Sequence, residues 1–196
     1  MKGYHLVGPM PYCTNCYMLI SDAGHAVVID PAAPANQIEA VLEDNKAQLT
    51  HILLTHGHFD HTYSLEEVQK AHPEAKLYMF EVDAEGSQMC PPTGCDVPLH
   101  DEDVITVDEM EFKVWHTPGH TRGSCVFLCE DMLFTGDTLF HMSIGRTDFP
   151  GGSARDMMRS LEKLAALPVA DEVQVLPGHE SFSTLGYERA HNPYMV

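Results

Sequence analysis

Short apolar runs recur along this chain, each closed off by glycine, proline or charged residues. Runs of four or five such positions predict strands at Cys16–Ile20, Ala26–Ile29, His51–Leu54, Lys76–Met79, Glu111–Trp115, Cys125–Leu128, Met132–Thr135 and Val173–Leu176. The Glu130–Asp131 pair reads as a tight turn joining two of them in a hairpin. Three stretches repeat instead every three to four residues. Ile38, Val41 and Leu42 predict a helix over Asn36–Ala47. Leu65, Val68 and Ala71 predict one beginning at Ser64, with Ser64 and Glu67 as a capping box and Pro73 as its end. Met157, Leu161, Leu164 and Ala165 predict a third, from Ser153 until Pro168 stops it. Strands and helices interspersed without strict alternation imply an α/β chain with sheets packed on one another and helices outside.

Length and composition narrow this picture. A chain of 196 residues, 44% hydrophobic and 20% charged, suits one soluble domain spanning 1–196, with no apolar run of membrane-spanning length. The N-terminus lacks the apolar stretch of a secretory signal, so a cytoplasmic location is expected, with the six cysteines reduced. The formal charge of −18 argues against nucleic acid, which is bound by cationic side chains. Cys13 and Cys16 form a lone C-x-x-C with no second pair to complete a structural zinc site. They are read as ordinary thiols, and Cys90 and Cys95 as loop residues.

The chemistry is concentrated in Thr55-His56-Gly57-His58-Phe59-Asp60-His61. In extended chain, residues two apart point to one side, so His56 and His58 can grip one metal ion. Asp60 and His61, close to the next helix, can turn toward a second. Imidazole and carboxylate suit zinc, iron or manganese. Three other predicted strands run into the same kind of turn: Gly119-His120, Gly136-Asp137 and Gly178-His179. If those strand ends share one rim, all seven groups converge there. Asp30, following the strand Ala26–Ile29, is placed to orient a ligand imidazole from behind. His116 and His141 are weaker candidates for the same role. His5, His25, His51, His72, His100 and His191 have no ligand-like setting.

In this order, Asp30, His56-x-His58-x-Asp60-His61, His120, Asp137 and His179 resemble the motifs of the metallo-β-lactamase superfamily. The resemblance implies an αββα sandwich of two mixed sheets flanked by helices, with the site at one edge. It implies His56, His58 and His120 on one metal, Asp60, His61 and His179 on the other, and Asp137 bridging. Two divalent ions follow, zinc first, with iron or manganese as alternatives. The segments Asn15-Cys16-Tyr17, Thr135–Phe140 and Gly145–Gly152 resemble the glyoxalase II (hydroxyacylglutathione hydrolase) branch. The ending, Ser183–Tyr194, resembles its short single-domain bacterial members, which lack the C-terminal helical substrate domain. Arg146 stands where longer members use a basic residue for glutathione, whereas Thr62-Tyr63 replaces the small pair common in the family.

The expected activity is a thioesterase acting on a small-molecule S-2-hydroxyacylglutathione, with no nucleic-acid or membrane partner. A hydroxide shared by two metals and oriented by Asp60 would attack the thioester carbonyl. The loop from Glu81 to His100 would close over the substrate. Alternatives are a persulfide dioxygenase with one iron on His56, His120 and Asp137, a lactonase of the same superfamily, and a metal-binding module without turnover.

Overall fold

The computed structural model describes residues 1–195. The first half of the chain supplies β1 (Lys2–Val7), β2 (Asn15–Ile20), β3 (His25–Ile29), α1 (Ala35–Asn45), β4 (Gln48–Leu53), α2 (Leu65–Ala71), β5 (Lys76–Met79) and β6 (Val97–Pro98). The second half supplies β7 (Val104–Val107), β8 (Met110–His116), β9 (Cys125–Cys129), β10 (Met132–Gly136), the small hairpin β11 (Leu139–Phe140) and β12 (Ser143–Ile144), α3 (Ala154–Ala165), β13 (Gln174–Pro177), β14 (Ser183–Thr184) and α4 (Leu185–His191). One six-stranded sheet has the order β1-β2-β3-β4-β5-β6, antiparallel through β3 and parallel from β3 to β6. The other runs β14-β13-β10-β9-β8-β7, where only the β13–β10 pair is parallel. Both sheets are therefore mixed.

Strands buried on both faces explain the continuous apolar runs. In β2, Cys16, Met18 and Ile20 join Ile38, Leu42 and Val68 beneath α1 and α2, while Tyr17 and Leu19 point into the space between the sheets. In β9, Phe127 meets that same inner layer, and Val126 and Leu128 meet Met157, Leu161 and Leu164 of α3. Three apolar layers thus hold four layers of backbone, α-β-β-α. Among the described residues no helix is long and apolar enough to cross a membrane.

The structure corrects several local expectations. No capping box forms at α2: Ser64 precedes the helix, but its hydroxyl donates to the Ala33 carbonyl at 2.7 Å instead of capping. Helix α1 ends at Asn45 because Lys46 takes a left-handed conformation and its N–H returns to the Leu42 and Glu43 carbonyls. At α3, Ser153 does cap, accepting from the Asp156 N–H. The two-residue turn at Glu130–Asp131 joins β9 to β10, with Cys129 opposite Met132. Strands β1, β6, β7, β11, β12 and β14 and helix α4 were not foreseen.

Candidate metal centre

Strand direction brings the chemistry to one rim. Strands β8, β10 and β13 run the same way in the second sheet, so His120, Asp137 and His179 all follow C-terminal strand ends. Strands β3 and β4 are parallel in the first sheet and deliver Asp30 and the His56–His61 loop. The rims are laced together by Asn15 N–H to the Gly178 carbonyl (2.7 Å) and Cys125 N–H to the Thr55 carbonyl (2.8 Å).

All seven groups come together there. His58 Nδ1 lies 3.1 Å from His56 Nε2 and 2.9 Å from His120 Nε2. A tetrahedral ion with bonds of about 2.0–2.1 Å would hold its ligand nitrogens about 3.3 Å apart, close to this spacing. Beside this trio, Asp60, His61 and His179 bring their ligand atoms within 4.8 Å of one another. Asp137 lies between the two groups. Its Oδ1 is 3.1 Å from His61 Nε2, and its Oδ2 is 3.3 Å from His120 Nε2 and 3.6 Å from His179 Nε2. Gly178 permits this approach, since a Cβ there would overlap Asp137 Oδ1 and His61.

The outer nitrogens of four imidazoles fix which inner atom is bare. His120 Nδ1 meets the Arg146 carbonyl at 2.7 Å and His179 Nδ1 meets the Tyr12 carbonyl at 3.2 Å. A carbonyl only accepts, so each Nδ1 carries a proton and each Nε2 faces inward, with a free lone pair when the ring is neutral. His61 Nδ1 donates to Asp30 Oδ2 at 2.9 Å, with the same result. The Thr55 hydroxyl donates to Asp30 at 2.6 Å and so accepts from His56 Nδ1 at 3.1 Å. His61 Nε2 and Asp137 Oδ1 are buried with no hydrogen-bond partner. Bare nitrogens and an orphaned carboxylate oxygen converging on one place fit divalent cations.

Electrostatics agree. Burial, reinforced by the surrounding imidazoles, holds His56 well below the ordinary histidine pKa, and burial brings His58 down to about 4. Both are neutral, as ligands must be. Burial opposes ionisation of Asp60, yet His179, His61 and Thr14 outweigh it and keep that carboxyl well below its usual range. For Asp137 burial is likewise outweighed, chiefly by His61, to give about 2. Burial also opposes charge on His61, but Asp137 and Asp30 raise it well above normal. Without a cation these carboxylates hold a proton on His61, and a metal ion supplies that positive charge instead.

Several contributors had no legible sequence signal. They are the Tyr12 and Arg146 carbonyls, Thr14, whose hydroxyl donates to Asp60 Oδ2 at 2.8 Å, and Asp83. A cavity of about 680 Å³ opens over the site, walled by Tyr12, Phe59, Met89, Phe140 and Phe149 among others. Met89 belongs to the Glu81–His100 stretch and is anchored by its carbonyl accepting from Phe59 N–H. The Arg146 side chain reaches this cavity, but its guanidinium is held bidentately by Asp148 at 2.7 Å and lies over Phe149. His116 and His141 do not touch the ligands: His116 bonds the Arg122 carbonyl and His141 bonds Glu188. All six cysteines are free thiols.

A four-layer sandwich with histidines and aspartates gathered on one rim defines a class of metal-site proteins. The sequence profile of the Metallo-beta-lactamase superfamily matches residues 11–179, and this chain belongs to that superfamily, most of whose members are metal-dependent hydrolases. An uncharacterized protein of Mycobacterium leprae is 38% identical across 92% of this chain and 93% of its own length. Hydroxyacylglutathione hydrolase GloC of Haemophilus influenzae is 31% identical across 92% of each chain. Among solved structures, BLEG-1 B3 metallo-beta-lactamase superposes with a TM-score of 0.88 at 30% identity, covering 100% of both chains. ETHE1 from Myxococcus xanthus gives 0.82 at 31%, covering 98% of this chain and 84% of its own. TTHA1623 in a di-iron-bound form gives 0.81 at 30%, covering 97% and 99%.

Proposed function

We propose that the protein is a dinuclear metal-dependent thioesterase that cleaves S-2-hydroxyacylglutathione. The observation that carries this reading is Asp137, whose two oxygens face His61 on one side and His120 and His179 on the other. His56, His58 and His120 would hold one ion, Asp60, His61 and His179 a second, and Asp137 both. Zinc is the first choice, and the di-iron form of a structural relative supports iron as an alternative. Bound there, divalent cations supply a water of lowered pKa and a Lewis acid for a carbonyl oxygen.

The chain's own residues do the rest. Asp60 receives the Thr14 hydroxyl on Oδ2, and its anionic carboxylate faces the cavity, where it orients the attacking water. Asp30 and the Arg146 and Tyr12 carbonyls hold His61, His120 and His179 in fixed tautomers, so none has to reorient during reaction. Tyr12, Phe59, Phe140 and Phe149 shield the reacting carbonyl from bulk water, and Arg146 stands at the rim for the anionic end of the carrier. The likeness to hydroxyacylglutathione hydrolase GloC supports this choice of substrate.

The test is thiol release from S-D-lactoylglutathione by protein whose zinc, iron and manganese have been quantified. Turnover that a chelator abolishes and added metal restores, and that Asp137→Asn loses, is the expected result. Two metals per chain without thiol release would overturn the choice of substrate and direct attention to lactones. A second reading, a mononuclear iron dioxygenase on His56, His120 and Asp137, draws on the same 3.3 Å approach of His120 to Asp137. Oxygen consumption with persulfide by protein holding a single iron would establish it.

A further inference from the structure

Asp83 is a buried carboxylate outside the ligand set. It lies at the end of a short 3₁₀ turn (Glu81–Asp83) and is 2% exposed. Its oxygens are occupied by three donors from two different loops. Oδ2 accepts from Gly57 N–H at 3.1 Å and from the Thr121 hydroxyl at 2.6 Å, and Oδ1 accepts from Gly123 N–H at 2.8 Å. Gly57 lies between His56 and His58, and Thr121 directly follows His120. One side chain therefore ties the loop carrying two imidazoles of the first trio to the loop carrying the third. The contact is close enough to dictate sequence: a Cβ on Gly123 would stand 2.6 Å from Asp83 Cγ. Thr121 is itself fixed, its hydroxyl 2.8 Å from Ser124 Oγ and its N–H donating to the same oxygen at 3.0 Å.

We propose that Asp83 is a positioning residue that sets the spacing of the His56, His58 and His120 nitrogens and thereby the affinity of that trio for a divalent cation. The proposal rests on the metal-site reading above. A carboxylate is required because only an acceptor-only group satisfies three donors at once. In Asp83→Asn the NH2 either opposes Gly123 N–H or takes the place of the oxygen shared by Gly57 N–H and the Thr121 hydroxyl, so in either orientation a buried donor faces a donor and the clamp on the two loops is weakened. Residues that orient metal ligands from outside typically change affinity about 10–100-fold when replaced.

The experiment is titration of metal-stripped protein with Zn2+ against a chromophoric chelator, with the visible spectrum of the Co2+-loaded protein as second readout. Asp83→Asn is expected to weaken one of the two Zn2+ sites by about 10–100-fold and alter the Co2+ bands, leaving the other site near its original affinity. Val114→Ala, a core deletion between the sheets, controls for general destabilisation and should lower the melting temperature without moving Zn2+ affinity. Should Asp83→Asn not fold, Thr121→Val removes one donor and is expected to weaken the same site, with Thr121→Ser rescuing it. Wild-type Zn2+ binding retained in Asp83→Asn, or loss matched by Val114→Ala, overturns the role given to Asp83 alone. Wild-type protein that takes up no Zn2+ overturns the metal-site reading and this role with it.

Discussion

Replacing Asp30 by asparagine is the sharpest probe of the network behind the ligands. Asp30 is 2% exposed, and three donors meet its carboxylate: Thr55 N–H at 2.7 Å on Oδ1, and Thr55 Oγ1 at 2.6 Å and His61 Nδ1 at 2.9 Å on Oδ2. In Asp30→Asn the new side chain would keep one acceptor oxygen and turn an NH2 toward the remainder. If the NH2 faces Thr55 N–H, two buried donors oppose each other and a charge-assisted bond is lost, costing about 2–3 kcal/mol. If it faces the other side, His61 must accept at Nδ1 and carry its proton on Nε2, where it can no longer bind a metal. The backbone does not confound the result, because Asp30 sits at φ 50°, a conformation asparagine also tolerates. For a chain of this size each kcal/mol shifts the melting temperature by about 2–4 °C, so a fall of about 4–12 °C is expected in the first case. In the second, the melting temperature holds and metal affinity falls by about 10–100-fold. Calorimetry of metal-free protein paired with Zn2+ titration distinguishes them. A variant unchanged within about 1 °C and unchanged in metal affinity would refute the reasoning.

Further outcomes follow from the same geometry. Gly178→Ala drives a methyl group into Asp137 Oδ1 and His61, and should lower kcat/KM by about 100-fold while the far-ultraviolet circular dichroism stays native. Arg146→Ala should raise KM for glutathione thioesters by no more than about fivefold with kcat unchanged, because the guanidinium is exposed and already paired with Asp148. Asp148→Asn frees that guanidinium and should lower KM, and steady-state kinetics of both variants check the pair. In metal-free protein, stability contributed by neutral His56 and His58 is full above pH 6.5, the unfolded imidazole value, and is lost as pH falls toward 4. His61 and His179, raised in the folded state, contribute stability that is full below pH 6.5 and is lost as pH rises through their folded values. Melting curves across pH 4–9 should therefore fall away on both sides, and a flat profile would contradict both assignments.

Strands buried on both faces were legible because continuous apolar runs such as Cys16–Ile20 leave little other reading. Edge strand β1 was not, since Lys2, Gly3 and His5 interrupt its apolar positions and most of it stays exposed. Helix α4 is seven residues long with Gly186 inside it, too short for a periodic signal. The capping box at Ser64 failed because tertiary structure offered the hydroxyl the Ala33 carbonyl instead. Within the candidate centre, imidazoles and carboxylates announce themselves by type and spacing. The groups that orient them from behind do not: the Tyr12 and Arg146 carbonyls are backbone, which every residue has. Asp83 is one acid among 29 Asp and Glu residues, and only folding brings it between Gly57 and Gly123.

The dinuclear site is tested most directly by anomalous scattering from crystals of the protein as purified, collected on either side of the zinc and iron edges. Two peaks are expected, one among His56, His58 and His120 and one among Asp60, His61 and His179, with Asp137 reaching both. A single peak, with Asp60, His61 and His179 making no metal contact, would contradict it.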